Sequence, residues 1–381
     1  MRAARGPLAA FVAEGFCWGS FAGVVPAVKR QAGLSDSELG TALLIGAVAA
    51  FCAMWLAPWL DRVLQRFAMP LLAVIMSTGF VLAGLADGWT SMAVALVVCA
   101  LGAGTLDVTM NARLSEFESS RKRPLMNMAH GIFSLAYAIA AISGGVLREL
   151  GWSPFDVFVL VALVNVLLIV LVWFAPVSVP EDVDASAPAP RLNWTLLFPI
   201  GMIVLIGFMA EQATEGWSAL HLERAHDAGA AQGALGPAIL GLTMAFGRFS
   251  GQALSYHVTE AKALSVAATL AAMGAALAAW GPGLAAGYAG FALLGLGVSV
   301  VAPMAFAWAG RLTPSGQKAR AISRVAVLGY AGFFVGPPVM GFLAEGFGLS
   351  WSFTAMALAL ALIPAVLVPL LRLRSPKAAQ A

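Results

Sequence analysis

The chain of 381 residues is 60% hydrophobic and only 11% charged, with a formal net charge of +3 and a mean hydropathy of +0.87. Soluble domains carry about 25% charged residues, so this composition excludes a soluble globular protein. It indicates an all-α integral membrane protein, whose first partner is the lipid bilayer.

Hydropathy predicts twelve transmembrane helices. Basic residues precede an apolar stretch in MRAARGPLAAFVAEGF, as they would in a signal peptide. Because Glu14 interrupts that stretch and no clear cleavage site follows, we predict a retained first helix. Ser35 and Glu38 fit a capping box before the second. The predicted spans are 7–30, 38–60, 67–86, 90–114, 124–149, 155–176, 195–222, 234–256, 261–280, 283–310, 319–345 and 350–372.

A polar segment, PVSVPEDVDASAPAPR at 176–191, separates the sixth span from the seventh. Its Pro, Ala and acidic residues are typical of a flexible tether. We therefore predict an N-terminal six-helix half at 1–175, a cytoplasmic linker at 176–193 and a C-terminal six-helix half at 194–381. The halves echo each other at an offset of 193 residues, which indicates a duplicated unit. The matching pairs are Gly102 with Gly295, Gly104 with Gly297, and Tyr137 with Tyr330.

Basic residues are distributed unevenly between the two sides of the predicted bundle. Of the 22 Lys and Arg residues, Arg248 lies inside a span, and the side away from the termini holds only Lys29, Arg30, Arg148 and Arg224. Cytoplasmic loops carry an excess of Lys and Arg, so we expect both termini in the cytoplasm.

Three titratable residues are predicted at one depth inside the membrane. Counting about 1.5 Å per residue, Glu14, Asp107 and His130 lie roughly 10–14 Å from the cytoplasmic helix ends. Asp107 and Asn111 share a helix face because they are four residues apart. A buried carboxyl that water reaches only in some conformations could exchange a proton. We predict proton coupling by Glu14, Asp107 and His130; the alternative is a neutral structural cluster.

Other polar or aromatic residues in the spans are candidates for solute binding. Glu211 shares a face with Glu215, which we expect to be solvated near the outer surface. Arg248 needs a carboxylate or a solute as its partner, and Glu211 is one candidate. Trp18 lies one turn beyond Glu14, where its ring could stack on a sugar or simply pack. The predicted solute-binding residues are Trp18, Asn111, Tyr137, Glu211, Arg248 and Tyr330.

The predicted loop after the second span reads APWLDRVLQRF, residues 57–67. It resembles the signature G-x-x-x-D-R-x-G-R-[RK] of the major facilitator superfamily, with Asp61, Arg62 and Arg66 retained and Ala57 and Leu64 in place of the glycines. An Asp at a helix end can pair with Arg and hold neighbouring helix ends in one state. We predict a gating role for these three charged residues; the alternative is an ordinary basic loop.

Taken as a whole, the chain resembles this superfamily, and within it the fucose-permease branch with its uncharacterised bacterial inner-membrane members. The resemblance rests on G-x-G-x-x-D-x-x-x-N at 102–111, M-x-H-G-x-F-S-L at 128–135 and A-E-x-x-x-x-x-W-S-A-L-x-L at 210–222. It implies two pseudo-symmetric halves and proton symport, with acids in spans 1 and 4. Gln252 stands where relatives often carry an acid in span 8, so the solute is not implied.

We expect a secondary transporter that moves a small polar solute, for example a sugar, by proton symport. The sequence AISGG in span 5 lacks the G-P-x-x-G-G pattern of many antiporters, which favours uptake. The alternatives are a proton-coupled drug or metabolite exporter and a non-transporting receptor or scaffold. We expect no enzyme activity, cofactor, metal or nucleic acid, and a monomer in a bacterial-type inner membrane.

Overall fold

The computed structural model describes residues 4–121, 125–173, 192–254, 258–314 and 317–374. These residues fold into α-helices. The helices are α1 (Arg5–Gln31), α2 (Asp36–Leu64), α3 (Ala68–Ala83), α4 (Trp89–Arg121), α5 (Met126–Glu149), α6 (Pro154–Trp173), α7 (Trp194–Ala225), α8 (Ala230–Leu254), α9 (Glu260–Trp280), α10 (Gly283–Arg311), α11 (Lys318–Phe347), α12 (Leu349–Leu362) and α13 (Val368–Arg374).

Within those ranges, ten helical segments are long and apolar enough to cross a membrane. One of them, Asp36–Ala83, contains both α2 and α3, and a shorter apolar helix, Pro154–Val170, belongs to α6. Since the π-turn Ile363–Leu367 joins α12 to α13 in a single pass, the described chain makes twelve passes. The predicted number of spans is therefore confirmed.

Two helices extend further than hydropathy predicted. The second predicted span ends at 60, but α2 continues to Leu64 and is followed by a 3₁₀ turn, Gln65–Phe67. The fourth predicted span ends at 114, but α4 continues to Arg121. Helical hydrogen bonding does not stop where the sequence becomes polar, so hydropathy underestimates helices that project beyond the hydrocarbon. Asp61 and Arg62 consequently lie in the last turn of α2, and placing them in a loop was wrong.

The capping box at the start of α2 is confirmed. The Ser35 hydroxyl accepts a hydrogen bond from the Glu38 backbone N–H at 3.1 Å, and the Ser35 backbone N–H donates to Glu38 Oε2 at 2.8 Å. These bonds satisfy two of the backbone groups exposed at this helix start. They fix where the chain turns between α1 and α2.

The packing of helices α1–α6 is repeated in α7–α12. In the first set α1 packs on α5 and α6, and α3 packs on α4 and α6. In the second set α7 packs on α11 and α12, and α9 packs on α10 and α12. The two sets meet along two seams, α5 against α8 and α2 against α11, which are also equivalent to each other. The structure therefore has the expected pseudo-symmetry; the predicted linker, 176–193, lies almost wholly outside the described residues.

The paired glycines of α4 and α10 pack against equivalent helices, but in reversed order. A Cβ at Gly102 would overlap α3 and one at Gly104 would overlap α2. In the second set it is Gly297 that approaches α9 and Gly295 that approaches α8. The constant offset of 193 residues therefore does not align structurally equivalent glycines. What repeats is the use of glycine for close helix approach.

Candidate functional site

Glu14 lies in the interior of the bundle, on α1. Its side chain is buried, with the residue only 7% exposed, and the Trp18 indole lies beside the carboxyl one turn further along. Among the residues that the structure describes, its Oε2 atom has no hydrogen-bond partner. Buried polar atoms are almost always paired, so an unpaired carboxyl oxygen indicates a site for a proton or a ligand.

Asp107 of α4 lies close enough to Glu14 for the two carboxyl groups to interact electrostatically. Asn111 Nδ2 donates to Asp107 Oδ1 and to the Asp107 backbone oxygen, both at 2.8 Å. The predicted i, i+4 pair therefore exists, with the amide orienting the carboxyl group. Two acids from separate helices thus share one half-buried to buried region, which we call the acid pair (Glu14 and Asp107).

His130 of α5 contacts α1 and lies near Arg248 of α8. Its ring packs edge-on against Phe11, with centroids 5.0 Å apart, and the charge that acts on it most is that of Arg248. Phe11 lies one turn before Glu14 on α1. Residue counts predicted the depth of His130 but not the direction in which its side chain points.

Arg248 of α8 forms an ion pair with Glu211 of α7. Its Nη2 lies 3.1 Å from Glu211 Oε1, and its Nη1 donates to Ser134 Oγ of α5 at 3.1 Å. The side chains are 24% and 18% exposed, respectively. The sequence predicted either a carboxylate or a solute as the partner of Arg248, and the structure shows the carboxylate of Glu211 on α7. The pair ties α7 and α8 to α5 across the seam between the two halves.

Glu215 was expected near the outer surface, and that expectation was wrong. It is half-buried and lies close to Glu211, Arg248 and Tyr137. The predicted span ended at 222, whereas α7 continues to Ala225, which places Glu215 deeper than expected. The Tyr137 hydroxyl is buried beside these acids and has no hydrogen-bond partner within the described ranges. Glu215 shares a helix face with Glu211, and on that ground the sequence could have placed it among the candidate site residues.

A cavity with about 680 Å³ of empty space, partly open to solvent, lies between α1, α2, α4, α7 and α11. Trp18 and Tyr330, both predicted to bind solute, form part of its wall. Each also adjoins one acid, since Trp18 lies beside Glu14 and the charge of Asp107 acts on Tyr330. The wall is mostly apolar and consists of Trp18, Leu43, Gly46, Ala47, Ala50, Phe51, Met54, Leu96, Ala100, Gln212, Tyr330, Phe333, Phe334 and Pro337.

Aromatic contacts close the α2–α11 side of this cavity. Phe51 of α2 meets Phe334 of α11 edge-on, with ring centroids 5.5 Å apart. On the α7 side, Phe208 stacks on Tyr330 at 5.8 Å and on Phe333 at 4.8 Å. Sequence reasoning missed the phenylalanines and Gln212, because apolar cavity walls and lipid-facing helix surfaces have the same composition.

Each of the three predicted gating residues makes a contact at or just beyond the end of α2. Asp61 binds Arg113 of α4, with 2.5 Å between Oδ1 and Nη2, and Arg113 also donates to the Gln65 backbone oxygen at 2.6 Å. Arg62 donates to the Pro58 backbone oxygen at 3.3 Å, and Arg66 lies over the Phe67 ring at 4.8 Å. This buried arginine joins the end of α2 to α4.

Ion pairs join the two sets of helices at the end of the bundle opposite the chain termini, here called the distal end. Asp36 lies 2.7 Å from Arg224 and 3.1 Å from Lys29. Glu223 lies 2.9 Å from Arg148 and 3.3 Å from Arg30. The four basic residues on the side away from the termini are therefore the four that form these ion pairs. We call these six residues the distal ion-pair network; it joins the two sets of helices at that end of the bundle.

Comparisons with known proteins agree with this architecture. The sequence matches the Major Facilitator Superfamily in two overlapping segments, residues 8–289 and 260–381. It is 28% identical to an uncharacterised MFS-type transporter of Yersinia pestis, over 93% of this chain and 92% of that protein. It is 29% identical to the membrane protein MosC of Rhizobium meliloti, over 89% of this chain and 83% of MosC.

A solved structure with the same fold is that of a bacterial homologue of the human lysosomal transporter Spinster, in an inward-facing and occupied conformation. The TM-score is 0.76 at 16% identity, and the alignment covers 98% of this chain and 97% of that one. With a family match over most of its length, a multi-pass helical bundle and the fold of a solved transporter, the chain belongs to the Major Facilitator Superfamily, a family of membrane transporters and not of enzymes.

Proposed function

We propose that the protein is a proton-coupled secondary transporter that moves a small solute by alternating access. The observation that carries this proposal is the buried Glu14 carboxyl, whose Oε2 is unpaired within the described residues, beside Asp107 of another helix. The acid pair adjoins the cavity through Trp18 and Tyr330, so a proton and a solute would bind near each other.

Electrostatics support a proton site at the acid pair. An ionised carboxylate in the membrane interior costs about 2.5–3.5 kcal/mol by insertion scales. Two carboxyl groups in one site titrate as a pair, because ionising the second against the first is unfavourable. The pair therefore holds a proton while the site is dry and releases it when water enters from one side. Asn111 orients Asp107 for this exchange.

Alternating access requires a closed end that can open. In this conformation the distal ion-pair network joins α1, α2 and α5 to α7, so the distal end is closed. The similarity to an inward-facing transporter structure supports the same interpretation. We propose that the halves 1–175 and 194–381, tethered by 176–193, rock against each other to break this network. The charge bias supports cytoplasmic termini in an inner membrane, and we expect a monomer.

Two candidate transport modes are supported by different observations. The resemblance to fucose permeases and the AISGG sequence of α5 favour symport of a small polar solute, with Gln212 and Tyr330 as hydrogen-bonding groups. The mostly apolar cavity wall favours the second candidate, a proton-coupled exporter of drugs or metabolites. Both candidates use the acid pair, and a receptor or scaffold would not need it.

Purified protein in proteoliposomes with an internal pH-sensitive dye tests this proposal. A panel of sugars, nucleosides, amino acids and amphipathic amines is added outside at constant pH. We expect at least one solute to change internal pH, with internal acidification indicating symport and alkalinisation antiport. Glu14→Gln and Asp107→Asn should each abolish the change.

Asp87→Asn is the matched control, because Asp87 is exposed in the loop between α3 and α4 and accepts a hydrogen bond from Ser91. It should behave as the unaltered protein does. If a solute is transported and Glu14→Gln and Asp107→Asn still move protons with it, the assignment of the acid pair is wrong. If no solute on a broad panel crosses, the receptor or scaffold alternative is favoured.

A further inference from the structure

We infer that the cavity binds an amphipathic cation, meaning a molecule with an aromatic or alkyl body and one positive charge. This inference rests on the proposed function, because it names the solute class of the same site. It replaces the expectation of a sugar with a class that the cavity wall and the nearby charges both favour.

The cavity wall is poorly suited to a sugar. Of its fourteen lining residues, only Gln212, Tyr330 and Trp18 offer polar side-chain atoms, and the others are apolar. A sugar carries hydroxyl groups around its whole ring, and each hydroxyl buried without a hydrogen bond costs free energy. An alkyl or aromatic body would instead exclude water from the same surface favourably.

Aromatic side chains surround the space where the solute would lie. Trp18, Phe51, Tyr330, Phe333 and Phe334 contribute five rings from three helices. The face of an aromatic ring attracts a cation, and the attraction increases when water is excluded. These rings would therefore bind both parts of an amphipathic cation, the body by contact and the charge by cation–π attraction.

The charges beside the cavity are predominantly acidic. Glu14 and Asp107 adjoin it, and neither forms an ion pair with any basic side chain that the structure describes. Across α7, the charge of Arg248 is already offset by Glu211, and Glu215 adds another acid nearby. Glu211 and Gln212 are adjacent on α7, so the charged cluster and the cavity share this helix. Ionisation of either carboxyl group of the acid pair would therefore favour a positive solute over an anionic one.

Two probes of the same shape and opposite charge test this inference. Tetraphenylphosphonium and tetraphenylborate are added to the purified full-length protein in lipid nanodiscs, and binding is followed by equilibrium dialysis. We expect saturable binding of the phosphonium at least tenfold tighter than that of the borate, with L-fucose failing to compete. Empty nanodiscs correct for partition into lipid.

Variants locate the bound probe. Phe334→Leu should weaken phosphonium binding about three- to tenfold, and Trp18→Ala should weaken it further. The matched control is Phe342→Ala, which changes a phenylalanine of the same helix that is 59% exposed on the outside of the bundle. In Glu14→Gln/Asp107→Asn, the preference for the phosphonium over the borate should fall at least fivefold. Each variant is compared only if it elutes as a single species.

Three outcomes would overturn the inference: equal or tighter binding of the borate, no saturable binding of either probe, or an effect of Phe342→Ala as large as that of Phe334→Leu. The test also separates this inference from the proposed function. Phosphonium binding without any proton release would leave the solute class standing and remove proton coupling. Proton-driven flux of a sugar without phosphonium binding would leave proton coupling standing and remove the amphipathic cation as the solute class.

Discussion

Three kinds of charged residue occupy the interior of this transporter, and their surroundings assign them different tasks. The acid pair adjoins the cavity and has spare hydrogen-bonding capacity at Glu14 Oε2 within the described structure. Arg113 and Asp61 form a buried ion pair between α4 and the end of α2. Arg248 and Glu211 form a partly exposed pair that crosses between helices. Of these three arrangements, only the first has a buried carboxyl oxygen without a hydrogen-bond partner within the described structure.

The Arg248–Glu211 pair offers a prediction at this scale. Removing one partner of a buried pair strands the other charge and costs about 3–5 kcal/mol, and partial exposure should reduce this to about 1–3 kcal/mol here. Arg248→Met should therefore lower the melting temperature more than Arg248→Met/Glu211→Leu does. Thermal unfolding of the purified proteins in one detergent measures this. Equal losses in the single and double variants would show that the pair contributes no coupling energy.

At the scale of helices, close approach depends on glycine. Gly15, Gly19 and Gly23 line one face of α1, and a Cβ on any of them would overlap the backbone of α5. Since lipid tails are as apolar as the helix surfaces, such contacts hold membrane helices together by packing and not by hydrophobic burial. They keep α1 and α5, which carry Glu14, Trp18 and Tyr137, in fixed relation.

Gly19→Ala should separate α1 from α5, because its new methyl group would meet the Tyr137 carbonyl oxygen. Overpacking of this kind costs about 1–3 kcal/mol, and it should also weaken phosphonium binding, since Trp18 follows the backbone of α1. Gly346→Ala is the control, because no atom lies within 4 Å of a Cβ at that position of α11. Melting temperature and probe affinity report the result. A stable, fully binding Gly19→Ala would contradict this account of the α1–α5 contact.

Sequence reasoning found the helices and the acid pair but not the cavity, for physical reasons. Every span must be apolar, so hydropathy located all twelve, and an acid in a span is costly enough to be conspicuous. Residue counts gave depth but not direction, so they did not reveal the contacts of His130 with Phe11 and Arg248. Helices that project beyond the hydrocarbon were cut short, which misplaced Asp61, Arg62 and Glu215. Leu43 and Ala47 line the cavity, yet nothing in the sequence distinguishes them from lipid-facing residues.

At the scale of the whole molecule, the distal ion-pair network joins the two sets of helices in the conformation observed. Asp36 and Glu223 each bind two basic residues and together link the two sets of helices. Lys29, Asp36, Arg148 and Glu223 are each at most 13% exposed in these pairs, and a shared network at one end can bias an equilibrium between two states. The four basic residues there also explain the local departure from the charge bias.

Removing both acids should open the distal end more often. In Asp36→Asn/Glu223→Gln, spin labels placed on the α1–α2 and α7–α8 loops should show a larger population of long distances, by about two- to tenfold. The charge swap Asp36→Arg/Arg224→Asp should keep more of the closed population than Asp36→Arg alone does. Asp156→Asn is the control, since Asp156 only caps α6 through Ser153. An unchanged distance distribution in the double variant would show that packing, and not charge, closes this end.

The most direct test of the central claim compares two kinds of flux in the same proteoliposomes. Accumulation of a transported solute against its gradient, driven by an imposed pH difference, requires proton coupling, whereas equilibrium exchange of that solute does not. We predict that Glu14→Gln and Asp107→Asn each abolish driven accumulation, and that exchange survives in at least one of them. Accumulation at the unaltered level in both variants would contradict the assignment of the coupled proton to the acid pair.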